Sequence, residues 1–171
     1  MTYIAIPRSN NDILDLTIMI RSALELQNQH YFPILKFLEH ILTKIDPDLN
    51  IDITDEEMNN MYACYIPNTN TFKIRTCVYD GAYNGNGRDR FTIAHEIGHY
   101  FMHRFGIFLP RGDKSYKIFH DPEWQANTFA SFLLMPPMLI KGLDEYEISS
   151  KCGTSISASK IAIKKAKLYK V

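Results

Sequence analysis

Two histidines four residues apart, His95 and His99, flank Glu96-Ile97-Gly98, and this spacing constrains the fold more than any other feature of the chain. Side chains at i and i+4 share one face of a helix, a turn apart, so both imidazoles can bind one cation. The surrounding residues predict that helix over Arg90–Arg104, with Phe91, Ala94, Ile97, Gly98, Phe101, Met102 and Phe105 on or near one apolar side. Glu96 is too close in sequence to complete the same tetrahedron, but it can face a water held by the cation. Zinc lowers the pKa of such a water to about 7, and a carboxylate can take its proton and pass it to a leaving amine.

The bare pattern arises by chance in about one chain of this composition in a hundred, so its context has to carry the rest. A catalytic zinc site uses three protein ligands and keeps one position open. A metzincin would have glycine at 102 and histidine at 105; Met102 and Phe105 exclude that class. Downstream, Asp113, His120, Asp121 and Glu123 are candidates for the third ligand. Asp121-Pro122 reads as a helix N-cap followed by proline at the first helical position, with Pro136-Pro137 stopping the helix after Met135. On that helix Glu123 and Asn127 are four apart, so one face can present a carboxylate to a metal and an amide that holds a ligand from behind. Spacing alone leaves a plainer role open for Glu123, an acid in a helix's first turn favoured by the dipole.

The rest of the chain predicts an α+β domain. Ile13, Leu16, Ile20, Leu24 and Gln27 follow helical spacing after Ser9 or Asn10 as N-cap, and a second helix is expected from about Pro33 to Lys44. Thr54-Asp55-Glu56-Glu57 has capping-box spacing for a short helical turn. Met61–Ile66 and Thr71–Tyr79, joined by Pro67-Asn68-Thr69-Asn70, predict a β-hairpin. Asp80–Asp89 and Gly106–Lys117 read as loops, Pro137–Tyr146 as a short helix, and Ser155 or Ser157 as the cap of a last one. The expected organisation is one domain over 1–171: an N-terminal helical part over 1–48, a zinc-peptidase-like core over 61–136 and a C-terminal helical part over 137–171.

Nineteen basic residues balance nineteen acidic ones, without the surplus that marks a nucleic-acid binder. Lys160, Lys164, Lys165, Lys167 and Lys170 read as a solvated helix face. Nothing near Met1 resembles a secretory signal, and Phe129–Ile140, broken by two prolines, is too short to span a bilayer. Cys64, Cys77 and Cys152 are odd in number and never spaced as CxxC, so a reducing cytoplasm is expected, with all three as small buried hydrophobes.

Arg90-Phe91-Thr92-Ile93-Ala94-His95-Glu96-Ile97-Gly98-His99-Tyr100-Phe101-Met102-His103 resembles the signature of the ImmA/IrrE family of zinc peptidases. Glu123-Trp124-Gln125-Ala126-Asn127-Thr128-Phe129-Ala130, running on to Leu133-Leu134-Met135-Pro136, resembles that family's second block. The two blocks span Arg90–Pro136, about a quarter of the chain. The resemblance implies zinc ligands at His95, His99 and Glu123, with Glu96 as general base. His103 belongs to the same pattern; a fourth ligand would close the site, so packing or a hydrogen bond from behind is its expected role, as for Asn127. Oxyanion stabilisation is left open among Tyr100, Tyr116, His120 and the tyrosines near the glycine-rich loop.

Members of that family are typically encoded beside helix-turn-helix repressors in mobile elements or stress regulons, and cleave them. The resemblance therefore implies a protein partner and site-specific proteolysis, while the charge balance and the lack of a spanning segment lead us to expect no direct contact to nucleic acid or membrane. Substrate is expected as a strand added to a sheet edge, with Thr71–Tyr79 as the candidate edge. The competing reading is a zinc-bound regulatory or antitoxin-like binding protein with little turnover, against which an intact Glu96 argues.

Overall fold

A computed structural model describes residues 5–56, 58, 60–104 and 118–167. Helix α1 spans Asn10–Ala23 and opens on a reciprocal cap: Ser9 Oγ accepts the Asp12 N–H while Asp12 Oδ2 accepts the Ser9 N–H. It stops short of Gln27 because Glu25 turns the chain with a φ of 57°. The second predicted helix is present as Ile34–Lys36 (α2), a π-helical stretch over Phe37–Leu42, and Thr43–Ile45 (α3). Phe37, Leu38 and Leu42 of the wider turns enter the core.

Strand β1, Asn50–Thr54, was not predicted; it pairs in parallel with the strand that begins at Thr71. Thr54 ends this strand, and its hydroxyl accepts the Glu56 N–H instead of opening the expected helical turn; Glu57 lies outside the described residues. The hairpin forms from β2, Ala63–Ile66, and β3, Thr71–Arg75, around a turn at Pro67–Thr69 and a left-handed Asn70. The sheet order is β1-β3-β2, so β3 is central and the free edge beside the helices belongs to β2. The expectation that Thr71–Tyr79 forms the edge is thereby overturned.

That segment is also not one strand. Thr76–Tyr83 is a helix, α4, because Val78 and Ala82, four apart, are the residues that bury. The ten-residue loop expected at Asp80–Asp89 shrinks to Asn84–Asn86, since α4 runs through Tyr83 and α5 begins at Gly87. Asn86 Oδ1 caps α5 by accepting the Arg88 and Asp89 N–H groups. Gly87 is required where it stands: any Cβ there would collide with the backbone of Thr154 and Ser155.

Helix α5 spans Gly87–His103, and α6 spans Pro122–Leu134, capped by Asp121 and stopped before Pro136 as its sequence predicts. The Gly106–Lys117 loop lies outside the described residues. The helix expected over Pro137–Tyr146 divides into α7, Pro137–Ile140, and α8, Glu145–Cys152, separated by Gly142 at a φ of 83°. Helix α9 covers Ile156–Ala166, with Ser155 as the cap. Buried residues of α1, the sheet, α5, α6, α7 and α8 belong to one apolar cluster around Ile93, Ala94, Ile97, Phe129 and Leu133. Of the cysteines only Cys152 is buried; Cys64 is half-buried and Cys77 exposed, contrary to expectation, and none of the three is paired. Among the described residues no helix is long and apolar enough to cross a membrane.

Candidate metal centre

Helices α5 and α6 approach closely at Gly98, where an added Cβ would stand 3.1 Å from both the Ala126 Cα and Phe129 Cδ1. That approach brings the first turn of α6 over the middle of α5. Glu123 consequently reaches both histidines, with Oε2 at 3.2 Å from His95 Nε2 and Oε1 at 3.3 Å from His99 Nε2. The two Nε2 atoms are 3.0 Å apart. Among the described residues these three form the one group of His, Cys, Asp and Glu side chains able to hold a metal ion. The Glu123 side chain is 65% exposed, so the centre opens to solvent on the α6 side. Of the other candidates for third ligand, Asp113 lies outside the described residues, while Asp121 Oδ1 is committed to the Glu123 N–H and His120 does not join the group.

The hydrogen bonds behind the histidines fix their tautomers. Gln125, fully buried, donates both amide hydrogens to carbonyls, to Ile6 at 2.9 Å and Phe119 at 2.8 Å. Its Oε1 can therefore only accept, and does so from His103 Nε2 at 2.9 Å. Burial holds His103 neutral, its pKa drawn down to about 4. Its bare Nδ1 then accepts from His99 Nδ1 at 2.9 Å, leaving the His99 Nε2 lone pair free. On the other side Asn127 Oδ1 accepts from His95 Nδ1 at 3.0 Å, with the same result for His95 Nε2. His103 and Asn127 thus hold the two rings from behind. Gln125 was not foreseen; an amide two residues from Glu123 gives no periodic signal.

Two lone pairs and a carboxylate meeting at 3.0–3.3 Å with no hydrogen between them are mutually repulsive unless a positive charge lies among them. The edge of a tetrahedron around zinc with nitrogen and oxygen ligands is about 3.3 Å, so the donor set and its spacing fit such an ion. Without metal a proton can serve instead. Burial, the largest single influence, disfavours it on His95, but the hydrogen bond His95 donates to Glu123, the charges of Glu96 and Glu123 and the bond to Asn127 together outweigh burial and the net shift is upward. The same two histidines hold the Glu123 carboxyl far below the ordinary carboxylate range.

Glu96 faces the sheet. Its Oε2 accepts the Tyr65 N–H at 2.8 Å, which fastens the carboxylate to the outer edge of β2. Burial pushes the carboxyl up, against the pull of His99 and His95. The Tyr62 carbonyl accepts from Arg75, so the main-chain groups of Ala63 and Tyr65 point outward from the sheet by the alternation of an antiparallel ladder. Of the oxyanion candidates, Tyr100 is turned into the core with its hydroxyl on Asp46, and Tyr79 donates to Glu39. Tyr116 lies outside the described residues.

A sequence profile of the IrrE N-terminal-like domain, a peptidase family, matches residues 47–151, more than half of the chain. The chain belongs to that family. The IrrE N-terminal-like match takes in the sheet, α4, α5, α6 and α7, and therefore every residue of the His95–His99–Glu123 group and of the hydrogen-bonded chain behind it. Membership makes the fold that of a metallopeptidase, in keeping with a three-donor centre. No curated relative matches the chain.

Proposed function

We propose that this chain is a zinc-dependent endopeptidase that cleaves a helix-turn-helix transcriptional repressor at a specific site. The observation that carries the reading is the convergence of His95 Nε2, His99 Nε2 and Glu123 on one point, with Glu96 anchored between that point and a free strand edge. His95, His99 and Glu123 hold the metal. When bound, zinc supplies the charge that polarises the scissile carbonyl and acidifies water.

The chain's own residues do the rest. An extended substrate segment pairs with the outward N–H and carbonyl of Ala63 and the outward carbonyl of Tyr65, whose N–H stays on Glu96, and this sets its peptide bonds beside the histidines. The Glu96 carboxylate, kept basic by burial, takes a proton from the attacking water and delivers it to the departing amine nitrogen. Asn127 and His103 keep the two imidazoles in the orientation the metal needs. A repressor as substrate implies a cytoplasmic site of action and regulation of transcription, the setting of a mobile element or stress regulon.

The test incubates the purified, zinc-loaded protein with each helix-turn-helix protein encoded beside its gene, and the absence of any such neighbour would count against a repressor as substrate. Cleavage at one position, abolished by chelation and by Glu96→Gln, is the expected result. If Glu96→Gln relieves repression in cells as well as the parent does, the protein acts by binding and the proteolytic reading is wrong.

A further inference from the structure

The helix faces that bear the metal-binding group continue past it and enclose a second site. Back along α5 from His95, Thr92, Phe91 and Arg88 lie three, four and seven residues earlier, on the same face. Forward along α6 from Glu123, Asn127 and Ser131 lie four and eight residues later. Ala158, Ile161 and Lys165 of α9 close the far side. The space between the three helices is a cavity of about 420 Å³, a size suited to a small ligand or a large side chain.

The lining has a marked chemical bias. Phe91, Ala158 and Ile161 make apolar walls, Arg88 and Lys165 bring two cations, and among the described residues no carboxylate lines the cavity. Asn127 spends its Oδ1 on His95, and its amide hydrogens have no partner among the described residues; neither has the Ser131 hydroxyl. Lys165 is half-buried rather than part of a solvated basic face, and its nearest polar contact is Thr128 Oγ1 at 3.5 Å. Arg88 lies over the Tyr62 ring, 5.0 Å from its centre, and the adjacent acid it interacts with, Asp89, lies against Gly81 and does not line the cavity. Donors and positive charge on a lining whose described residues include no carboxylate are the complement of a carboxylate carried on an apolar stem.

We propose that this cavity is a substrate subsite that selects a residue bearing a carboxylate, and so fixes which peptide bond reaches the metal. Asn127 links the two sites, since it holds His95 and lines the cavity. The carboxylate can belong to an acidic side chain or to a chain end. The proposal rests on the peptidase reading, and its test separates the two.

The zinc-loaded Glu96→Gln protein is offered pools of random hexapeptides, amidated at the C-terminus, with Glu, Gln, Leu or Lys at one fixed position. A fifth pool has a free C-terminal carboxylate, and bound peptides are quantified by mass spectrometry. The Glu pool, if the side chain is read, or the free-carboxylate pool, if the chain end is read, should be retained about tenfold over the Gln pool. Lys165→Met and Arg88→Gln should each erode that preference without lowering zinc affinity, and Lys165→Glu should turn it toward the Lys pool. Equal retention of the Glu, Gln and free-carboxylate pools, a preference for Leu, or a carboxylate preference that survives both substitutions would overturn the proposal. Carboxylate-selective binding with no cleavage by the parent would instead sink the peptidase reading and leave the subsite standing.

Discussion

The Nδ1 atoms of His99 and His103 lie 2.9 Å apart, so one ring must donate to the other, and Gln125 decides which. Because Gln125 can only accept from His103 Nε2, the proton between the histidines belongs to His99. The lone pair offered at the metal centre is thus set two residues away, by an amide tied to the carbonyls of Ile6 and Phe119. The N-terminal segment is fastened at the same place, with the Ala5 and Arg8 N–H groups donating to His120 and Phe119.

Gln125→Leu removes the acceptor that orients His103 and frees the imidazoles to take the wrong tautomer. Zinc affinity, measured by competition with a chromophoric chelator, should fall by about 10–100-fold, and His103→Phe should do the same. Unchanged affinity in both variants would show that the hydrogen-bonded chain only packs.

Gly98→Val tests the helix contact on which Glu123 depends. The new side chain meets the α6 backbone at Ala126 and the fully buried Phe129, neither a flexible tip that can move aside. Overpacking of this kind costs about 1–3 kcal/mol, more than the few tenths gained by removing a helical glycine. A lowered Tm together with weakened zinc binding is the expected pair of results. A lowered Tm with parental zinc affinity would mean that α6 holds Glu123 in place without this contact.

Much of the centre was legible because it is local. His95, His99, Asn127 and the Asp121 cap declare themselves by i,i+4 spacing and helix-start chemistry, and the structure places each on the helix expected for it. What escaped was set by distant partners. Strand β1 exposes most of its side chains and exists through parallel pairing with β3, which leaves no alternation to read. Thr76–Tyr83 has the β-branched and aromatic content of a strand, yet its four-residue spacing of Val78 and Ala82 outweighed composition once the sheet ended at Arg75. Treating that segment as strand is also what misplaced the sheet edge.

Arg90 belongs to the sequence block around the metal centre, but its contacts are structural. It is 1% exposed and donates to the carbonyls of Gly153 and Phe32 at 2.8 Å and to the Tyr31 hydroxyl, tying α5 to the segment before α2 and the end of α8. A lysine cannot reproduce that fork, and each buried carbonyl left unpaired costs about 1–3 kcal/mol. Arg90→Lys should therefore lower stability by about 3 kcal/mol in urea unfolding while zinc affinity of the folded protein stays within about twofold of the parent. A selective loss of zinc affinity would instead assign Arg90 to the metal centre.

Asp46 predicts a pH signature away from the metal. Its carboxylate accepts from Asn70 Nδ2 at 3.0 Å, Tyr100 at 2.9 Å and Arg104, which joins the end of α3 to the hairpin turn and to α5. The hydrogen bond from Asn70, with those from Tyr100 and Arg104, outweighs burial and holds the carboxyl below its ordinary value. A carboxyl depressed by folding contributes its stability above its unfolded pKa of about 4 and loses it as the pH falls through the folded value. Asp46→Asn, which cannot titrate, should be less stable than the parent at pH 7, by a margin that holds down to about pH 5 and narrows with further acid. Thermal melts of both proteins from pH 7 to pH 3 give the comparison, and a margin that widened on acidification would contradict a depressed Asp46.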